Sequence, residues 1–267
     1  MVPKVRLPDA RKMITLEVVA NTRLSPSFAN ITLGGPELEH FKPAGDDQAV
    51  RLFFPREGQE KLRMPRVNSE AWIAELLVMS KASRPWVRNF TIRRARPELN
   101  EVDIEIVLHA DTPASAWVRR ARPGDPAGIF DIGLTYLPPA RAEWQMLVGD
   151  ESALPAILAI LDDAPESLAA QVYLEVPETA DIRPDIVVPE GVHVHWLARD
   201  GADGLPGTLA LDAIRQATLP PGRFYTWVAG ESRMATGLRR HLVNDRDVPK
   251  PDIAFIGYWK HGRSSPG

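Results

Sequence analysis

Apolar and polar residues alternate in short runs over the first half of the chain, whereas beyond about residue 138 apolar strings are set between helix-like segments. Alternation at period two marks half-buried strands, and apolar strings separated by helices mark a parallel sheet with crossovers. The first pattern predicts strands over residues 13–24, 28–33, 49–54, 86–93, 102–109 and 128–132. Six strands with few helices suggest a small antiparallel barrel. Residues 69–77 suit one or two helical turns as well as an extended insertion, and the pattern does not choose between them. After Pro138-Pro139, strands are expected over 145–148, 171–176, 193–197, 225–229 and 253–256, with helices over 153–161, 206–217 and 233–243. The expected division is therefore 1–137 for the barrel and 138–267 for the α/β half.

Composition narrows the function classes. A chain of 267 residues, 44% hydrophobic and 25% charged, is long enough for two moderate domains. Its net charge of -3 argues against a nucleic-acid binder, though local basic pockets remain compatible with it. No apolar run reaches the length of a membrane span, and the first residues lack a signal-peptide core, so the expectation is a cytoplasmic protein. The absence of cysteine excludes thiolate-held iron-sulfur clusters, zinc ribbons and cysteine nucleophiles, so any electron transfer needs a bound organic cofactor. His193 and His195 share a strand face without a third ligand nearby in sequence, which reads as a structural pair rather than a metal site.

Two neighbouring segments carry the candidate chemistry. In Arg88-Asn89-Phe90-Thr91-Ile92-Arg93, strand alternation points Arg88 and Phe90 one way and Thr91 the other. The cation can hold a phosphate while the ring beside it packs on an isoalloxazine. In His109-Ala110-Asp111-Thr112-Pro113-Ala114-Ser115-Ala116-Trp117, a capping residue precedes proline at a helix start whose free amides attract anions. The first segment alone is read more simply as a basic surface strand. The close succession of the two outlines a flavin site.

The second half offers loops at the carboxyl ends of strands, where ligands of open α/β sheets gather: Gly149-Asp150-Glu151-Ser152, Gly230-Glu231 and Gly257-Tyr258. Their acidic residues repel phosphate, so Asp150, Glu151 and Glu231 are expected near sugar hydroxyls or a nicotinamide. A helix cap is the plainer role for Asp150 and Glu151. Arg199 can meet a 2'-phosphate or be a solvated loop arginine, with equal claim.

The two flavin segments, the three glycine loops, the residues Tyr258-Trp259-Lys260 and the stretch Gly45-Asp46-Asp47-Gln48-Ala49-Val50-Arg51-Leu52-Phe53-Phe54-Pro55 resemble, in order, the siderophore-interacting protein family. The resemblance covers nearly the whole chain. It implies a six-stranded antiparallel Greek-key FAD-binding barrel followed by a Rossmann-like parallel sheet of about five strands, the ferredoxin-reductase-like fold. It implies an FAD-dependent ferric-siderophore reductase fed by NAD(P)H or ferredoxin. Arg88, Phe90, Thr91, His109, Asp111, Thr112, Ala114, Ser115 and Trp117 are then expected to hold FAD, Asp150 and Glu231 to serve the reductant side, and Arg51 and Lys260 to contact the ferric siderophore. Three departures stand out: Phe90 replaces the family's usual tyrosine, Thr112 replaces a glycine, and Phe130-Asp131-Ile132-Gly133 replaces a segment that brings a third basic residue. The alternatives left open are a flavin or protein-acceptor reductase and a siderophore-binding module without turnover.

Overall fold

The structure is a computed structural model that describes residues 4–109 and 112–263. It forms two compact units, Arg6–Leu134 and a second made of the chain from Thr135 onward together with Lys4 and Val5. In the first, β1 (Met13–Ser25), β2 (Phe28–Gly34), β3 (Ala49–Phe54), β4 (Trp86–Thr91), β5 (Arg94–Arg96), β6 (Glu101–Val107) and β7 (Pro126–Gly133) pair in the order β4-β3-β7-β1-β2-β6-β5, every pairing antiparallel.

The sheet thus has seven strands rather than the expected six: the run expected over 86–93 ends at Thr91, and beyond a break at Ile92 and Arg93 a short strand outside the expected runs, Arg94–Arg96, pairs with β6. The Ile92 N–H donates to Gln48 O at 2.9 Å, on the β3 side, and the Arg93 N–H donates to Asp103 O at 2.8 Å, on the β6 side. The chain crosses from one edge of the sheet to the other in two residues. This crossing closes the sheet into a barrel and satisfies backbone groups that an open edge would leave unpaired.

Alternate residues from these strands, among them Leu16, Ile31, Leu52, Ile104 and Ile129, fill the barrel. The helix α2 (Pro113–Arg120) adds Trp117 to that core, where its ring stacks on Phe54 with centroids 5.0 Å apart. Phe53 points the other way, into a smaller cluster with Phe130, Trp72 and Leu76 beneath α1 (Trp72–Val78). The continuous apolar run Leu52-Phe53-Phe54 therefore records a strand covered on both faces. It also shows that the ambiguous stretch over 69–77 contains a short helix.

In the second unit β8 (Trp144–Gly149), β9 (Ala170–Val176), β10 (Val192–Ala198), β11 (Phe224–Glu231) and β12 (Ile253–Trp259) form a parallel sheet in the order β10-β9-β8-β11-β12. The helix α3 (Leu154–Asp162) buries its residues from Leu154 to Leu161, which explains a helix with almost no polar face. The helices α4 (Thr208–Gln216) and α5 (Ser232–Asp245) contribute Ile214, Met234 and Leu238 to a separate core with Trp144 and Val228. Strand order reverses between β8 and β11, so the loops after Gly149 and Gly230 flank the topological switch point, the preferred ligand crevice of such sheets. No helix among the described residues is long and apolar enough to cross a membrane.

Candidate functional site

The first unit presents its candidate site on β4 and at the start of α2. Trp86, Arg88 and Phe90 share one face, with Val50, Leu52 and Phe54 as their partners on β3. Phe90 and Trp86 are half-buried and pack against the barrel core. Arg88 is half-buried too, its Nη1 donates to Val87 O at 2.7 Å, and its guanidinium carbon lies 5.2 Å from the centre of the Trp86 ring. Burial first, and the like charge of Arg56 second, push the Arg88 pKa below its ordinary value. A desolvated arginine beside another arginine, with no carboxylate bound to it among the described residues, suits an anionic ligand. Thr91 is buried on the opposite face.

The start of α2 is built as the sequence suggests: the Thr112 side chain accepts from the Ser115 N–H at 3.2 Å, and the two hydroxyls lie 2.8 Å apart. Arg119 and Arg120 end the helix and no acidic residue occupies its first turn, so its amino-terminal field is left for a bound anion. Ala114, Ser115 and Trp117 are buried beneath this turn and shape it from inside, whereas His109 is exposed and Thr112 half-exposed at the surface. Asp111 lies outside the described residues.

Arg51 extends toward Asn89, donating through Nη1 at 2.5 Å, with its guanidinium carbon 5.8 Å from the Trp72 ring centre. Burial lowers its pKa and the charge of Glu70 offsets part of that. Asp131, which stands in the segment where the resemblance leads one to expect a basic residue, is buried; it accepts from Gln48 Nε2 and the Gly133 N–H, each at 2.7 Å. Lys260 follows β12 in the second unit and is exposed.

At the switch point of the second unit Asp150 is fully buried and ties three strand ends together. Its Oδ1 accepts from the Ser152 N–H at 2.9 Å and hydroxyl at 2.5 Å, while Oδ2 accepts from the Glu231 N–H at 2.6 Å and Trp259 Nε1 at 3.0 Å. Burial, and then the neighbouring Glu151 charge, raise its pKa to about 6. Gly230 adopts φ 139° against this carboxylate, and a Cβ there would lie 2.7 Å from Asp150 Cγ. Glu231 is buried as well; it accepts from the Arg233 N–H at the start of α5 and from the His261 N–H. Both carboxylates hold the loops of the crevice from within.

Arg199 is neither a solvated loop residue nor an open phosphate site. It donates bidentately to Glu151 at 2.9 Å through each nitrogen and to Glu175 at 2.8 Å, and Glu175 also accepts from the Gly207 and Ala210 N–H groups at the start of α4. His195 pairs with Gln171 at 2.9 Å and stacks on Tyr173, and no metal-binding cluster of three or more groups occurs among the described residues. Sequence reasoning missed Arg56 and Trp86 in the first unit. The only linear signal for them is a cation just past β3 and an aromatic two residues before Arg88.

Residues 17–134 match the model of the siderophore-interacting FAD-binding domain, and residues 142–262 match the siderophore-interacting protein model. The ferric vibriobactin reductase ViuB of Vibrio cholerae is 31% identical over 252 residues, which span 93% of this chain and 90% of that relative. The chain belongs to the siderophore-interacting protein family. Another relative, the NADPH-dependent ferric-chelate reductase of Escherichia coli, is 27% identical over 248 residues and is covered to 91%, as is this chain. Among solved structures, a siderophore utilization protein from T. fusca superimposes with a TM-score of 0.84 at 29% identity, covering 99% of this chain and 98% of the other. A ferredoxin NADP+ reductase from Neisseria gonorrhoeae, at 15% identity and a TM-score of 0.65 over 93% of this chain and 99% of its own, shows that the siderophore-interacting family member has the ferredoxin-reductase-like fold.

Proposed function

We propose that this family member is an FAD-dependent ferric-siderophore reductase that frees Fe(II) in the cytoplasm, with NAD(P)H or a ferredoxin as electron donor. The chain is an oxidoreductase whose first unit is an FAD-binding domain, and two reductases of ferric chelates are among its relatives. The observation that carries the reading is the β4 face, where a desolvated, carboxylate-free arginine stands beside a half-exposed phenylalanine on one strand. Flavin, when bound, accepts electrons in pairs and passes them on singly, and ferric iron released from hard oxygen ligands needs one electron.

The chain's own residues supply position and charge. Arg88 and the α2 amides take the diphosphate, Phe90 packs on the isoalloxazine with Thr91 behind it, and His109 lies toward the adenine half. Thr112 with Ser115 fixes the helix start, over Ala114 and Trp117. Asp150 and Glu231 set the shape of the reductant crevice without touching phosphate. Arg51 and Lys260 attract anionic ferric siderophores, raising encounter rates. The donor assignment to NAD(P)H is supported by the named dependence of the Escherichia coli relative on NADPH.

Anaerobic titration tests the proposal. FAD-loaded protein should be bleached by NADH, NADPH or reduced ferredoxin, and a ferric siderophore should restore the yellow colour as a ferrous chelator registers one Fe(II) per electron. Protein that takes up no FAD refutes the reading. So does reduced, FAD-loaded protein that no ferric catecholate or hydroxamate reoxidises.

A further inference from the structure

Arg56 lies just past β3, and its guanidinium carbon stands 3.7 Å from the centre of the Trp86 ring, the ring that also receives Arg88 at 5.2 Å. Two cations on one indole are held there by backbone alone. Arg56 Nε donates to Arg84 O at 2.7 Å, and Arg84 in turn donates through Nη2 to Leu77 O at 2.6 Å and Met79 O at 2.9 Å, closing the end of α1. Arg120, at the end of α2, donates to Pro55 O at 2.9 Å, immediately before Arg56. None of Arg56, Arg84, Arg88 and Arg120 has a carboxylate partner among the described residues.

This arrangement stores repulsion. The pKa of Arg56 is lowered by burial and by Arg84, and that of Arg88 by burial and by Arg56, so each cation is destabilised by the next. Structural arginines in this chain are treated otherwise: Arg96 is paired with Asp103 and Glu101, and Arg199 with Glu151 and Glu175. Arg56 meets no protein acceptor with its terminal nitrogens among the described residues, and its anchored Nε and the indole fix the plane of the fork. A fork held flat at a surface is the geometry of bidentate oxyanion recognition. Successive residues on one strand face are about 7 Å apart, so Phe90, Arg88 and Trp86 with Arg56 form a line of ring, cation and second cation.

We infer that Arg56, mounted on Trp86, grips the second phosphate of FAD alongside Arg88, and that this pair makes the first unit select the dinucleotide over FMN. The inference rests on the proposed placement of flavin along β4. It assigns FAD recognition to two residues outside the motif segments.

The test uses the full chain stripped of flavin and titrated with FAD or FMN by fluorescence, with ADP as a competitor. Arg56→Gln should weaken FAD by about 10- to 100-fold, the range of one charge-assisted bond, and weaken ADP by the same factor. FMN should shift by less than about threefold, since its single phosphate stays with Arg88. The salt dependence of FAD binding should also flatten. Equal losses for FAD and FMN, or unchanged FAD affinity, overturn the inference and leave the reductase reading standing. Wild-type protein that binds no flavin sinks both. Arg56→Lys, which keeps the charge but lacks the fork, carries the same test should the glutamine variant fold poorly: FAD and ADP must weaken together while FMN holds.

Discussion

Replacing Arg199 by methionine should unfold the second unit more easily without touching cofactor recognition. The side chain of Arg199 is 13% exposed, and those of Glu151 and Glu175 are 2% and 0% exposed, so the three charges form a buried triad. Burial opposes the arginine's charge, yet the hydrogen bonds and charges of the two glutamates outweigh it and raise its pKa. Methionine fills a similar volume but leaves two carboxylates facing one another away from water. Breaking a buried pair from one side costs about 3–5 kcal/mol, and the backbone donors from Gly207 and Ala210 relieve only Glu175. For a unit of this size that loss lowers the melting temperature by on the order of 10–20 °C. Scanning calorimetry of FAD-loaded protein should show the shift in a transition separate from, or earlier than, flavin release. A double substitution, Arg199→Met with Glu151→Gln, should recover part of it by removing one stranded charge. A melting temperature within about 3 °C of wild type, combined with a raised KM for NADPH, would refute the structural assignment and return Arg199 to 2'-phosphate recognition.

Three further outcomes follow from named contacts. Gly230→Ala places a methyl 2.7 Å from Asp150 Cγ at φ 139°, a conformation that side chains resist, and should cost about 2–4 kcal/mol in urea unfolding while FAD affinity is preserved. Asp150, with a folded-state pKa of about 6 against an ordinary 3.8, binds its proton more tightly when folded, so it favours the folded state below about pH 4 and that contribution is lost as pH rises through 6. The change is about 3 kcal/mol, and urea midpoints between pH 4 and 7 should flatten in Asp150→Asn; an unchanged pH slope would contradict the raised pKa. Trp117→Ala removes a ring buried to 1% exposure and stacked on Phe54, and should cost about 3–5 kcal/mol and loosen the α2 start, weakening FAD and FMN alike.

Strand positions were legible because one physical signal, side-chain alternation against a core, dominates them. The segment over 102–109 carried it cleanly, and β6 (Glu101–Val107) buries Val102, Ile104 and Ile106 in alternation. The break at Ile92-Arg93 was not legible, since both residues suit a strand; the break comes from hydrogen bonds to Gln48 and Asp103, residues far away in sequence. The helix in 69–77 was hidden for a related reason: only Trp72 and Leu76 of its helical residues are buried, so its apolar stripe is too narrow to announce a period. Local pattern reports local burial. It is silent on pairings that depend on closure.

The same contrast separates the parts of the site. Thr112-Pro113 and Arg88-Asn89-Phe90 could be read because a helix cap and a strand face are fixed by residues within a few positions of each other. The acidic loops could be found but their manner of action could not: Asp150 and Glu231 look like surface ligands in sequence, and both turn inward because backbone N–H groups at neighbouring strand ends leave donors that only a buried acceptor can satisfy. Arg199 and Arg56 are indistinguishable as letters, each an arginine in a loop beside a strand. What divides them is the company each keeps across 48 residues of sequence in one case and 30 in the other: Arg199 meets Glu151, whereas Arg56 meets Trp86 and no carboxylate. A cation that the fold neutralises belongs to stability, and one that the fold stacks, anchors and leaves without an anion is the better candidate for binding one.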